Sequence, residues 1–211
     1  MTQTRFWLVR HAVVPNLQKR IYGASDPACD TSDRALMEGT ARQLPRDAVW
    51  VTSHLQRTHQ TADALLEVSG LTPAVRLEEA DLGEQDFGAL QGKTWEELER
   101  EPDFNTSEYW RIPGEVVPPG GESFAQVKAR ASAVYQRLIE KHGGKDIVCV
   151  VHGGTIRAAL GLAMGLSPSK SLNFTIDNVS LTKLSHFKER GSPDGVWRVD
   201  GLNILPLSAQ L

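Results

Sequence analysis

The chain has 211 residues, 40% of them in the hydrophobic set and 23% charged, enough for one globular domain to bury most of the surface of its extended chain. This composition excludes disorder, collagen and coiled coil. Lys+Arg 23 against Asp+Glu 26 leaves a formal charge of -3, so no global positive field gathers nucleic acid or an anionic membrane, and an anionic ligand has to be held by a local cluster.

Cys29 and Cys149 are too few for a disulfide framework. The chain does not open with a basic segment followed by a secretory apolar stretch, and no apolar run approaches the ~20 residues of a membrane span. The expectation is a single domain over residues 1–211, cytoplasmic, with neither nucleic acid nor membrane as a partner; the residues leave the oligomeric state open.

In chain order, Phe6–Val9 reads as a buried strand, Asp33–Leu44 as a helix ending at Pro45, Val49–Thr52 as a strand and Ser53–Ser69 as a helix stopped by Gly70. Thr94 with Glu97, Ser53 with Gln56 and Ser123 with Gln126 have capping-box spacing. Pro102–Glu122 breaks the regularity with four prolines and the aromatics Phe104, Tyr109 and Trp110. It reads either as a surface loop pinned by aromatic packing or as a lid over a ligand site.

Ser123–Lys141 then places Phe124, Val127, Ala131, Val134, Leu138 and Ile139 on one helical face and stops at Gly143-Gly144. Ile147–Val151 is a third buried strand, Thr155–Met164 a helix, and Ser180–Phe187 with Val196–Leu202 a closing hairpin. Continuous apolar runs alternating with helix-period segments predict an α/β fold, a three-layer sandwich whose mostly parallel central sheet carries helices on both faces.

Two of these strands end in the same chemistry: Phe6-Trp-Leu-Val9 in Arg10-His11, and Ile147-Val-Cys-Val-Val151 in His152-Gly153-Gly154. In open α/β sheets ligands bind at the C-terminal strand edge, and Gly153-Gly154 before a helix starting at Thr155 would present free amides to an anion. Arg57, in or just after the first turn of a helix capped by Ser53, opposes the macrodipole and suggests an anion nearby; Arg157 sits equally close to its own helix start.

Other patterns are set aside. Gly88-Ala-Leu-Gln-Gly92-Lys93-Thr94 is one residue short of a P-loop between its glycines, and no apolar strand precedes it. His54 and His59 do not stack on a helix face, and neither HExxH, CxxC, GxSxG nor GxGxxG occurs, so no metal and no cofactor is expected.

Taken together, the chain resembles the histidine phosphatase superfamily, the group of cofactor-dependent phosphoglycerate mutases, fructose-2,6-bisphosphatases and α-ribazole phosphatases. The matching residues are Leu8-Val9-Arg10-His11, Ser53-x-Leu55-x-Arg57-Thr58-x-Gln60-Thr61-Ala62, Glu84-x-x-Phe87-Gly88, Gly120-Gly121-Glu122-Ser123 and Val151-His152-Gly153-Gly154, in the family's order.

The resemblance implies a phosphoglycerate mutase-like fold and a small phosphorylated substrate. It makes His11 the nucleophile, has Arg10, Arg57 and His152 contact the phosphoryl oxygens, and makes Glu84 the acid that protonates the leaving oxygen. Asn16, Tyr22, Gly23 and Gly153 would line the substrate side. The chemistry is sound on its own terms: a neutral imidazole is a good nucleophile near pH 7, and phosphoryl transfer mostly needs positioning and charge neutralisation, which guanidiniums supply through fixed forks of donors.

Glu78, Glu79, Asp81 and Asp86 crowd the same stretch, and only the spacing to Phe87-Gly88 selects Glu84. The chain departs from the family in having Ala12 where Gly usually follows the catalytic His, Val13-Val14 for an acidic-then-hydroxyl pair, and Asn16 one residue early. The leading expectation is a phosphomonoesterase acting on a small metabolite. A cofactor-dependent phosphoglycerate mutase is the alternative within the superfamily, and a non-catalytic phosphate-recognising module the alternative outside enzymes.

Overall fold

The computed structural model describes residues 1–15, 19–100, 114–189 and 195–206. In chain order the elements are β1 (Thr2–Arg10), α1 (Arg34–Ala41), β2 (Val49–Thr52), α2 (Gln56–Ser69), β3 (Val75–Glu78), α3 (Trp95–Leu98), α4 (Phe124–His142), β4 (Asp146–Val151), α5 (Gly153–Ala163), α6 (Pro168–Ser171), β5 (Leu181–Lys188) and β6 (Gly195–Ile204).

The strands form one sheet in the order β3-β2-β4-β1-β5-β6. β3, β2, β4 and β1 run parallel, while β5 is antiparallel to both β1 and β6. The α/β expectation and its closing hairpin hold.

β4 shows why an unbroken apolar run becomes a central strand here. Ile147, Cys149 and Val151 point into a core shared with α4 and α5, whereas Val148 and Val150 point into one shared with α1 and α2. All five are fully buried, as period-2 alternation requires when both faces are covered by helices. α4 supplies Phe124, Val127, Ala131, Val134, Tyr135 and Leu138 to the first core, and its predicted capping box from Ser123 and Gln126 forms. The Thr94–Glu97 box forms as well. Among the described residues no helix is long and apolar enough to cross a membrane.

Several boundaries depart from the sequence reading. β1 runs the full length from Thr2, and β3, a four-residue edge strand alternating half-buried and exposed residues, was not expected; its pattern is too short to signal itself. α1 stops at Ala41, its last turn closing through Gln43 and Leu44 onto Thr40 and Ala41. α5 starts at Gly153 rather than Thr155. Only 114–122 of the irregular Pro102–Glu122 stretch is described, so Phe104, Tyr109 and Trp110, and with them the choice between loop and lid, lie outside the described residues.

The topology sets the position of the site. Parallel register pairs Arg10 with Val151 and Thr52 with Val150, so the neighbouring strands β1, β4 and β2 end at one edge and deliver His11, His152 and Ser53 side by side.

Candidate active site

His11 and His152 lie with ring centroids 5.2 Å apart, each essentially without solvent exposure. Nδ1–H of His11 donates to the Ala12 carbonyl at 2.7 Å, since a carbonyl only accepts, and this leaves the lone pair on Nε2. The backbone that makes this bond is held from two sides: the Ala12 N–H donates to Thr61 Oγ1 at 2.8 Å, and Asn178 Nδ2 donates to the His11 and Ala12 carbonyls at 2.8 and 3.3 Å.

Burial pushes the His11 pKa down from 6.5 to about 3, with Arg57 and Arg10 adding to the fall and the Ala12 bond opposing it. Both effects of environment disfavour the imidazolium. His152 is displaced well below its ordinary value, first by burial and then by His11 and Arg57. At neutral pH both rings are uncharged.

His152 is wired the other way round. Its Nε2 is 2.8 Å from Ser53 Oγ, and its Nδ1 is buried without a partner. Ser53 was expected to cap α2, and it does not. Its hydroxyl contacts His152 and Thr58 and accepts from the Leu55 N–H ahead of the helix, the helix starts at Gln56, and the Gln56 N–H is taken at 2.7 Å by Asp26, thirty residues upstream. Capping by a distant loop satisfies the same free donor as a local cap.

Arg57, on the first turn of α2, is completely buried. Its Nη1 and Nη2 donate to the Ser25 and Gly23 carbonyls, each at 2.7 Å, and its guanidinium lies 5.2 Å from the Tyr22 ring, which is itself 6.4 Å from the ring of His11. Burial lowers the Arg57 pKa, and Glu84, Tyr22 and Asp26 act against that fall. Gly23 adopts φ +42, and a Cβ there would meet the Gln85 carbonyl at 2.5 Å. Its visible work is therefore to turn a carbonyl onto Arg57.

Arg10 donates from Nη1 to the Ile176 carbonyl at 2.6 Å. Among the described residues the buried side-chain polar atoms left without a partner are Arg10 Nε, Arg57 Nε, His152 Nδ1 and, on β5, His186 Nδ1. Three of the four belong to residues gathered about His11. Buried donors are normally satisfied, so such a concentration marks where an anion fits.

The acidic stretch sorts itself by geometry. Glu78 pairs with His59 and Glu79 with Arg137. Asp81 is exposed, and Asp86 caps the Gly88 N–H. Glu84 alone of the group reaches α5, accepting from the Gly154 N–H at 3.3 Å. Its carboxylate occupies the space that a Cβ on Gly154 would fill.

The Gly154 amide donates to the Glu84 carboxylate, and Gly153 leaves room for the Arg10 and Arg157 side chains. Arg130 fixes the turn that carries Glu84, donating to the carbonyls of Asp81, Gly83 and Glu84 while forming a two-pronged ion pair with Glu122. Glu122 also accepts from the Asp86 N–H.

The structure brings His11, His152, Arg10, Arg57 and Glu84 together, with Tyr22 and Gly23 around Arg57. Asn16 lies outside the described residues. Sequence reasoning missed three supporting groups: Ser53 as the partner of His152, Asn178 and Thr61 as the clamps on His11, and Arg130 as the brace of Glu84. Thr61 stood inside a recognised motif. Asn178 follows the last motif by many residues and carried no signal.

A family model described as histidine phosphatase superfamily (branch 1) matches residues 6–197. A metal-independent phosphoserine phosphatase of Arabidopsis thaliana is 31% identical over 84% of this chain and 76% of its own length. The bifunctional protein Rv2228c of Mycobacterium tuberculosis is 30% identical over 90% of this chain, which spans only 52% of that relative. Among solved structures, mycobacterial glucosyl-3-phosphoglycerate phosphatase Rv2419c has a TM-score of 0.81 at 26% identity, covering 96% of this chain and 99% of that one.

Proposed function

Since a match across residues 6–197 makes this chain a member of the histidine phosphatase superfamily, we propose that it is a metal-independent phosphomonoesterase that hydrolyses a small phosphorylated metabolite through a phosphohistidine on His11. The observation that carries this reading is the group of three unpartnered buried nitrogens, Arg10 Nε, Arg57 Nε and His152 Nδ1, around an uncharged His11 with a free Nε2. The phosphatase relatives point the same way.

The phosphoryl group docks against the two guanidiniums and His152. Nε2 of His11 attacks phosphorus in line, forming the P–N bond as the P–O bond to the alcohol breaks, and the departing oxygen takes the proton of the Glu84 carboxyl. Water then attacks the phosphohistidine and returns a proton to Glu84, releasing phosphate and neutral His11.

Charge on the transferring group is met by fixed donors, the largest contribution in reactions of this kind. Ser53 decides how His152 takes part. In this reading the Ser53 hydroxyl, 2.8 Å from Nε2, donates its hydrogen there and keeps the ring's one proton on Nδ1, so the neutral ring still donates to phosphate.

The test is phosphate release from p-nitrophenyl phosphate, with and without a chelator. Activity that survives chelation and vanishes in His11→Ala supports the reading. A rate that collapses in chelator and returns with magnesium contradicts metal independence. Transfer between phosphoglycerates without net phosphate release would place the chain with the mutases instead.

A further inference from the structure

One cation in the site has no place in the mechanism above. Arg157, on the second turn of α5, is anchored by its Nε, which donates to the Phe174 carbonyl at 2.8 Å. The rest of its guanidinium turns back toward the start of its own helix. A Cβ placed on Gly153 would have Arg157 Nη1 at 3.1 Å and Arg10 Nε and Cζ at 3.6 and 3.8 Å, so the two guanidiniums flank one point beside the catalytic strand end. Among the described residues no carboxylate forms an ion pair with Arg157. The groups that act on its charge are Glu84, which stabilises it, and Arg10, which opposes it, while burial lowers its pKa.

Holding two guanidiniums this close, both partly desolvated, is costly unless an anion lies between or beside them. The reactive phosphate already has Arg57 and Arg10. When Glu84 carries the proton it must donate, it offers Arg157 no charge. Three guanidiniums then face the two charges of a phosphomonoester, with both histidines neutral. Asp26 does not change this balance, being exposed and bound to the start of α2 beside Arg57. One positive charge is left over, and it stands next to Glu84, on the side where the alcohol departs.

We infer that Arg157, acting across Gly153 from Arg10, is a subsite for a second anion carried by the leaving group, so that the substrate is a phosphomonoester whose alcohol bears a carboxylate close to the ester oxygen. The inference rests on the phosphatase reading and deepens it. The charge count favours a singly charged group, and the planar fork of a guanidinium suits a carboxylate.

Matched substrate pairs provide the experiment: phosphoserine against phosphoethanolamine, and 3-phosphoglycerate against glycerol 3-phosphate, each with wild type, Arg157→Gln and Arg157→Lys, and with p-nitrophenyl phosphate as reference. Wild type is expected to favour the carboxylate member of each pair by about 10- to 100-fold in kcat/KM, the worth of one charge-assisted hydrogen bond. Arg157→Gln should erase that preference mainly through KM, with a loss on p-nitrophenyl phosphate about tenfold smaller or less. Arg157→Lys should restore part of the preference.

Equal losses on every substrate would assign Arg157 to the phosphate or to support of the fold and overturn the proposal. So would a wild type that hydrolyses p-nitrophenyl phosphate without preferring either carboxylate. If wild type hydrolyses no phosphoester at all, the phosphatase reading falls first and takes this subsite with it.

Discussion

The ends of β1 and β4 make an instructive pair. Each is an apolar strand that stops at a histidine, the strands are parallel neighbours, and the two rings sit 5.2 Å apart in the same buried setting. Their second partners differ. A carbonyl accepts from Nδ1 of His11 and leaves Nε2 bare, while Ser53 holds Nε2 of His152 and leaves Nδ1 buried without a partner. On the proposed mechanism one sequence signal yields a nucleophile and a donor, and what separates them is a single hydrogen bond made by the other ring nitrogen.

The sharpest way to break this comparison is to truncate each ring in turn. His11→Gln should remove turnover almost completely, by about 10⁵-fold or more, because the group that accepts the phosphoryl is gone. His152→Gln deletes one donor to the transferring group and should cost about 10²–10³-fold in kcat. Comparable losses in both would mean that His152 also does covalent work.

Glu84→Gln comes next. It should slow an alkyl phosphate by about 10²–10⁴-fold and p-nitrophenyl phosphate much less, since that leaving group departs without a proton. Asp81→Asn and Asp86→Asn serve as controls; a leaving-group-selective loss in either of them would move the acid.

Ser53→Ala isolates the second partner itself. With the tautomer of His152 no longer held, kcat should fall by about 10- to 100-fold, and the ¹⁵N shifts of His152 should move toward a mixed population. Unchanged shifts would show that the ring keeps its tautomer without Ser53.

A further effect is on stability in acid and not on rate. His11 is depressed from 6.5 to about 3 in the native state, so between these values the unfolded chain takes up a proton that the native chain does not. Stability therefore falls as pH is lowered through that window, and the contribution of His11 levels off below it. Between about pH 7 and about pH 4, wild type should lose about 3 kcal/mol more than His11→Gln. Parallel denaturation curves at the two pH values provide the check.

Much of this was legible in the residues, for identifiable reasons. Long two-faced strands such as Ile147–Val151 and a 19-residue amphipathic helix announce themselves by periodicity, and the motifs that fix His11, Arg57 and His152 are local runs. What escaped was non-local. Ser53 looked like a cap because capping spacing is local, yet its hydroxyl serves a ring 99 positions away, and the cap comes from Asp26. Gly153-Gly154 reads as an anion nest because free amides follow a strand there, and the Gly154 amide does meet a carboxylate; that the pair also leaves space for Glu84 and for two arginines is a three-dimensional fact no spacing shows. β3 was too short, and its alternation too brief, for any period to show.

The central claim is that the two histidines divide the labour by nitrogen atom. Rapid quenching of wild type with ³²P-labelled substrate, followed by alkaline digestion and separation of the two phosphohistidine isomers, tests it most directly. The account predicts an acid-labile, base-stable label on His11, at Nε2, and none on His152. Label at Nδ1, label on His152, or an acid-stable adduct would contradict it.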